Sequence, residues 1–347
     1  QNIIFWVVML MRKANGNQPT KRLVIKSLSN VPKLPEDFNK NTWEKLSKAI
    51  EAIHSSTGVS DSMESLYNSV KDLCLHKLSE ETYKKLRQQY EGYLTEAGQI
   101  LQNSLRQGEE TSALLHQLNL LWNTHCQQIR MIRDIFLYLD RTYVFQTKEH
   151  SIWDMGCLLF RSEVMEDQQV VLKIVEGLLT LIENERNNQT IERSLLQNLL
   201  RMLLALKLYH STFENEFLQH TSVFYEAEGK QKIAESSVPY YLHHIDSRLK
   251  EELERAHTYL SDTTTPKMKA IIEEKLIKEH SCDILDKGFF ELMKENNKAD
   301  LALLYKYLKQ VNCLSDLQSF LNSFVTKTAM DIVMQPDKDD VMIEELI

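Results

Sequence analysis

Three short groupings carry residue types from which a metal site or a catalytic thiol could be built: His125-Cys126, His243-His244 and His280-Ser281-Cys282. A structural zinc takes four ligands in a tetrahedron, drawn from closely paired Cys or Cys/His spacings. None of the groupings has such a spacing, so a site would need ligands from distant parts of the chain. Partly exposed histidines beside packed cysteines are expected instead. A nucleophilic cysteine needs a neighbour that lowers its pKa. Only Cys126 has an adjacent histidine, and residues i and i+1 on a helix do not face each other. No Gly-rich phosphate loop and no His-Glu-x-x-His occurs. Acidic pairs such as Glu251-Glu252 lie in "RLKEELER", which reads as a solvated helix face rather than acid–base machinery. These patterns predict no catalytic residue, no metal and no cofactor.

Recognition chemistry is better represented. In "MIRDIFLYLDRTYV", residues 131–144, Ile132, Ile135, Phe136, Leu139 and Tyr143 recur at helical spacing and supply one buried stripe. Met131, Asp134, Tyr138 and Arg141 fall on a different side: an aromatic, a methionine and two opposite charges. "MESLYNSVKDLC" places Met63, Leu66, Tyr67, Val70, Leu73 and Cys74 on one apolar face, with Glu64 and Leu75 off it.

The elements that must position these residues are helices. Nine Gly and six Pro in 347 residues compare with about 24 and 17 at average usage, too few for a chain built on tight turns. Periodicity predicts helices over 40–54, 62–77, 81–105, 110–145, 150–163, 167–186, 190–209, 211–234, 237–260, 265–279, 282–295, 298–312 and 314–328. Asn41, Ser62 and Thr190 are the expected N-caps. The breaks "STGVSD", "KLSEE", "SDTTTP" and "MQPDKDD" are short and polar. The sole strand candidate, "LVIK" at 23–26, is isolated. An all-α stack of antiparallel helices follows.

A hydrophobic fraction of 43% with 26% charged residues describes a folded, soluble chain. The net charge is −8, with no basic run long enough to track phosphates, so nucleic acid is excluded as a direct ligand. The five cysteines are odd in number and widely spaced. They read as reduced, buried thiols of a protein of the nucleus and cytoplasm. That compartment argues against use of the glycosylation pattern at Asn188-Gln189-Thr190. "IIFWVVMLM", residues 3–11, is uniformly apolar but too short to span a bilayer. It is either a docking segment or a product of where this fragment begins, and no membrane partner is expected.

"MIRDIFLYLDRTYV" closely resembles the signature helix of the cullin family, the scaffolds of RING-type ubiquitin ligases. "LYNSVKDLCLHK" resembles the second helix of the first cullin repeat, and "LLWNTHCQQIRMIRD" the approach to the fifth. "SIWDMGCLLFR", "LIENERNNQTIERSLLQNLLRML", "SVPYYLHHIDSRLKEELERAHTYL", "DKGFFELM" and "DLALLYKYLKQV" are similar to later landmarks. The likeness runs over about residues 20–347. "TKRLVIKSLSNVPKLPEDF" is similar to the leader of the cullin-4 group, which uses the large subunit of the damage-specific DNA-binding complex as adaptor.

The resemblance implies an elongated α-solenoid stalk of three five-helix cullin repeats: an unmatched extension 1–19, an adaptor-binding leader 20–38, and repeats over 39–163, 164–270 and 271–347. It implies a non-catalytic scaffold that binds a triple β-propeller adaptor, and through it substrate receptors. The implied adaptor-binding residues are Met63, Glu64, Tyr67 and Lys71 from the second helix of the first repeat. Met131, Asp134 and Tyr138 come from the fifth, and Leu23, Val24 and Ile25 from the leader. The globular region that holds the RING-box protein is not expected within this chain. Two other classes remain open: a helical tethering or adaptor protein of vesicle traffic, and a helical thiol enzyme using Cys126 or Cys157.

Overall fold

The computed structural model describes residues 37–334. Leu23, Val24 and Ile25, the apolar segment 3–11 and the "LVIK" candidate lie outside them. The chain divides into two units, residues 1–42 and 43–347. Of the first, the described residues are the opening turn of α1, Phe38–His54. Asn41 is not its cap. Its amide already donates to the Asp37 carbonyl at 2.9 Å, so it lies inside the helix.

The second unit continues as helices throughout its described residues. α2 spans Met63–Leu75 and is capped as expected, Ser62 Oγ accepting from the Ser65 amide at 3.2 Å. α3 is Ser79–Arg106 and α4 Thr111–Ile135. The expected single helix to residue 145 is broken at Phe136, whose backbone leaves helical geometry at φ −92°, ψ 17°. The chain resumes as α5, Leu137–Leu139, passes through a π-helical turn at Asp140–Val144, and finishes as α6, Phe145–Thr147. α7 (Ile152–Glu163) and α8 (Gln168–Arg186) follow, capped by Ser151 and Asp167. α9 begins at Arg193 and runs to Ala205 without a cap from Thr190. Arg193 is held instead by the Glu185 carboxylate, and the first helical residue lies two places later than the cap pattern suggests.

A second π turn, Tyr209–Phe213, leads into α10, Glu214–Glu235. Then come α11 (Val238–Tyr259), α12 (Thr265–Glu273) with a π turn at Glu274–Lys278, α13 (Ser281–Lys294), α14 (Lys298–Gln310) and α15 (Leu314–Val333). No strand occurs among the described residues. The shortage of glycine is met at helix ends. Lys77, Lys148, Asn188, Lys207, Asn296 and Asn312 take the left-handed conformation with φ between 50° and 66°, a role that Gly most often fills.

Two helices organise the packing. α4 lies against α2, α3, α7, α8 and α9, and α11 against α9, α10, α12, α13 and α14. The core of the first half joins Leu66, Val70 and Leu73 of α2, Leu86, Tyr90 and Leu94 of α3, and Leu118, Ile129 and Ile132 of α4, all buried. Each such side chain contributes about 1.5–3 kcal/mol by leaving water.

The second half contains a buried ionic core. Arg186, fully buried at the end of α8, donates to both carboxylate oxygens of Glu252 at 3.0 and 2.9 Å and to Thr221 Oγ1 at 2.9 Å. Its guanidinium lies 5.3–5.5 Å from the ring centroids of Phe217, Phe224 and Tyr225. Arg255 also donates to Glu252, at 2.7 Å. One arginine thus ties α8, α10 and α11 together.

Candidate partner-binding surface

α2 and α5 pack side by side. Leu66, Val70 and Leu73 turn inward while Met63 stays 42% exposed and Tyr67 and Cys74 are half-buried. The single apolar face expected on α2 is therefore split: its middle is core, and its edge faces solvent beside α5. On α4 and α5 the buried stripe is Ile132, Ile135, Phe136 and Leu139, as periodicity predicts. Tyr143 departs from it and is half-buried, because the π turn rotates the residues after Asp140 relative to the preceding stripe.

At the joint of the two elements Tyr67 meets Tyr138 edge to face, with centroids 6.5 Å apart and planes at 83°. Met131 is 43% exposed, and Glu64, Lys71, Asp134 and Arg141 are exposed. The structure thus brings Tyr67 and Tyr138 into contact and leaves both methionines and the charges facing solvent around them. Tyr138 is half-buried rather than free, since Tyr67 covers one side of its ring. This is what a preformed docking surface needs: an aromatic pair held in one geometry by its own contact, with apolar sulfur side chains and charges at its rim. Thr142 Oγ1 donates to the Tyr138 carbonyl at 2.7 Å, and Asp140 Oδ1 accepts from the Ile152 amide at 2.9 Å, fixing the π turn against α7.

The histidines of the first two groupings are engaged by neighbouring side chains. His125 is buried, its Nδ1 3.0 Å from the Tyr90 hydroxyl. His244 Nε2 lies 2.6 Å from Glu228, and His243 Nε2 lies 3.0 Å from Asp300. Among the described residues no three His, Cys, Asp or Glu side chains are grouped so as to hold a metal. Burial pushes the thiols of Cys126 and Cys157 up to about 11. At neutral pH both stay protonated, the wrong state for a nucleophile. The expectation that the cysteines are buried holds fully for Cys157 alone; Cys74, Cys126 and Cys313 are half-buried and Cys282 is exposed, on the outer side of α13.

A chain of helices in which each packs on near neighbours defines an α-solenoid. The cullin α-solenoid domain pattern matches residues 43–347. The chain is 41% identical over 342 residues to human cullin-4A, covering 96% of this chain and 44% of that protein. It is 34% identical over 336 residues to cullin-4 of Dictyostelium discoideum, covering 96% and 42%, and 30% identical over 338 residues to cullin-3 of the same organism, covering 95% and 43%. The chain belongs to the cullin family, and it spans less than half the length of these relatives.

Proposed function

We propose that this chain is the adaptor-binding part of a non-catalytic cullin scaffold, in a RING-type ubiquitin ligase of the nucleus and cytoplasm. Its described surface receives an adaptor, and a triple β-propeller is the occupant implied by the resemblance of residues 20–38 to the cullin-4 leader. Substrate receptors are carried on that adaptor. The scaffold contributes rate by proximity, raising the effective concentration of substrate near the charged conjugating enzyme. The RING-box protein belongs to the remainder of a full-length cullin.

The observation that carries this reading is the half-exposed Tyr67–Tyr138 pair, with Met63 and Met131 exposed on α2 and α4, on a chain of this family. Calorimetric titration with the purified three-propeller adaptor tests it. Tyr138→Ala is expected to weaken binding by about 2 kcal/mol or more, roughly 30-fold. Its cost to the fold should be about 1 kcal/mol, the worth of one aromatic pair. Wild-type protein that binds no propeller adaptor would refute the adaptor assignment and leave a cullin scaffold with a different adaptor.

A further inference from the structure

Exposed apolar surface continues past Tyr138. Phe145, seven residues on, is 82% exposed, more than any other aromatic side chain among the described residues. Leu75, the last residue of α2, is 59% exposed. The end of α2 leads within a few residues into α3, whose Tyr83 packs against Tyr143 at 6.1 Å and donates to the His150 carbonyl at 2.8 Å. Leu75 and Phe145 therefore lie toward the same end of the two elements that carry Tyr67 and Tyr138.

We propose that Phe145, supported by Leu75, is a second anchor of the adaptor surface, seated in an apolar pocket of the same adaptor; this rests on the adaptor reading above. The core makes no use of the ring, since no residue of α6 is buried. The backbone beneath it is nevertheless held. Thr147 Oγ1 donates to the Tyr143 carbonyl at 2.8 Å, Asp140 is bonded to the start of α7, and Lys148 ends the helix at φ 58°. A large aromatic presented on a fixed backbone loses little freedom on docking, the usual character of an interface anchor. The intervening π turn is a feature that recurs at functional sites. Phe145 lies about 10 Å beyond Tyr138 along the element.

Titration of the purified three-propeller adaptor against wild type, Tyr138→Ala, Phe145→Ala and Phe145→Glu tests the proposal, with thermal midpoints recorded alongside. Phe145→Ala is expected to lose about 5- to 10-fold in affinity and Phe145→Glu about 30-fold or more, at unchanged midpoint. Phe145→Glu binding within about twofold of wild type, while Tyr138→Ala is lost, would overturn the second anchor and leave the adaptor reading standing. Wild-type affinity in both Tyr138→Ala and Phe145→Glu would remove both. A lowered midpoint in Phe145→Ala would show that the ring supports the fold, and would also overturn the proposal.

Discussion

His54, half-buried, and His125, buried, share an aromatic cluster around Tyr90. His54 stacks on Tyr93 at 4.0 Å, and His125 lies 5.5 Å from Trp122 and 4.9 Å from Phe160. Burial lowers His54 to about 4 and His125 to about 3, the latter also disfavoured by His54. Both are neutral in the folded chain, whereas the unfolded chain protonates them near 6.5. Stability is therefore whole above about pH 6.5 and is lost as pH falls toward the folded values, by about 1.4 kcal/mol per pH unit for each histidine within that interval. Thermal midpoints from pH 7 to 5 should fall more steeply in wild type than in His54→Phe, which has one fewer group to charge. Equal slopes would show that carboxylates govern the acid limb. Arg186 offers the sharper loss. Arg186→Leu leaves the Glu252 carboxylate in a dry site with Arg255 as its remaining cationic partner, and denaturant titration should register about 1–3 kcal/mol.

Two glycines inside α3 differ in the space a side chain would meet. Gly92 has open space where a Cβ would project, but at Gly98 a Cβ would collide with the Glu163 carbonyl at the end of α7. Gly92→Ala is expected to stabilise by about 0.5–1 kcal/mol, through helix propensity alone. Gly98→Ala should destabilise by about 1–3 kcal/mol, because backbone must move. Opposite signs in one chemical denaturation series would verify that α3 and α7 cross with backbones nearly in contact. Neither position is distinguishable from the other in sequence: each is a glycine inside a helical pattern. Most of the helices, by contrast, were legible, because apolar side chains at 3.6-residue intervals leave no competing reading when strands lack material. Ser62 was legible as a cap because its hydroxyl has the next turn's amide to accept from. Thr190 does not cap α9, whose first residue, Arg193, has a tertiary partner in Glu185 that local spacing does not contain. Tyr138 was separable from the core by periodicity, but its contact with Tyr67 joins two segments 71 residues apart. Phe145 was passed over because the π turn takes it off the regular helical count.

Across the second unit, helices pack on partners near in sequence, and side-chain hydrogen bonds among the described residues span at most 75 positions, as from Gln128 to the Ile53 carbonyl. Such a chain unfolds by regions, since the terms that stabilise it are local and nearest-neighbour. Phe136→Ala is expected to cost about 3–5 kcal/mol in the first half. Native-state hydrogen exchange should then rise over α1–α7 while α11–α14 keep their protection. A uniform rise across all helices would mean that the unit melts as one. The short reach of the contacts also bears on synthesis. Every partner of Tyr67, Tyr138 and Phe145 named here precedes residue 165, so the surface can be complete while later helices are still being made. Each further hundred residues occupies a ribosome for about 5–20 s. An adaptor present during that interval meets a finished surface on an unfinished chain, and assembly can begin during translation.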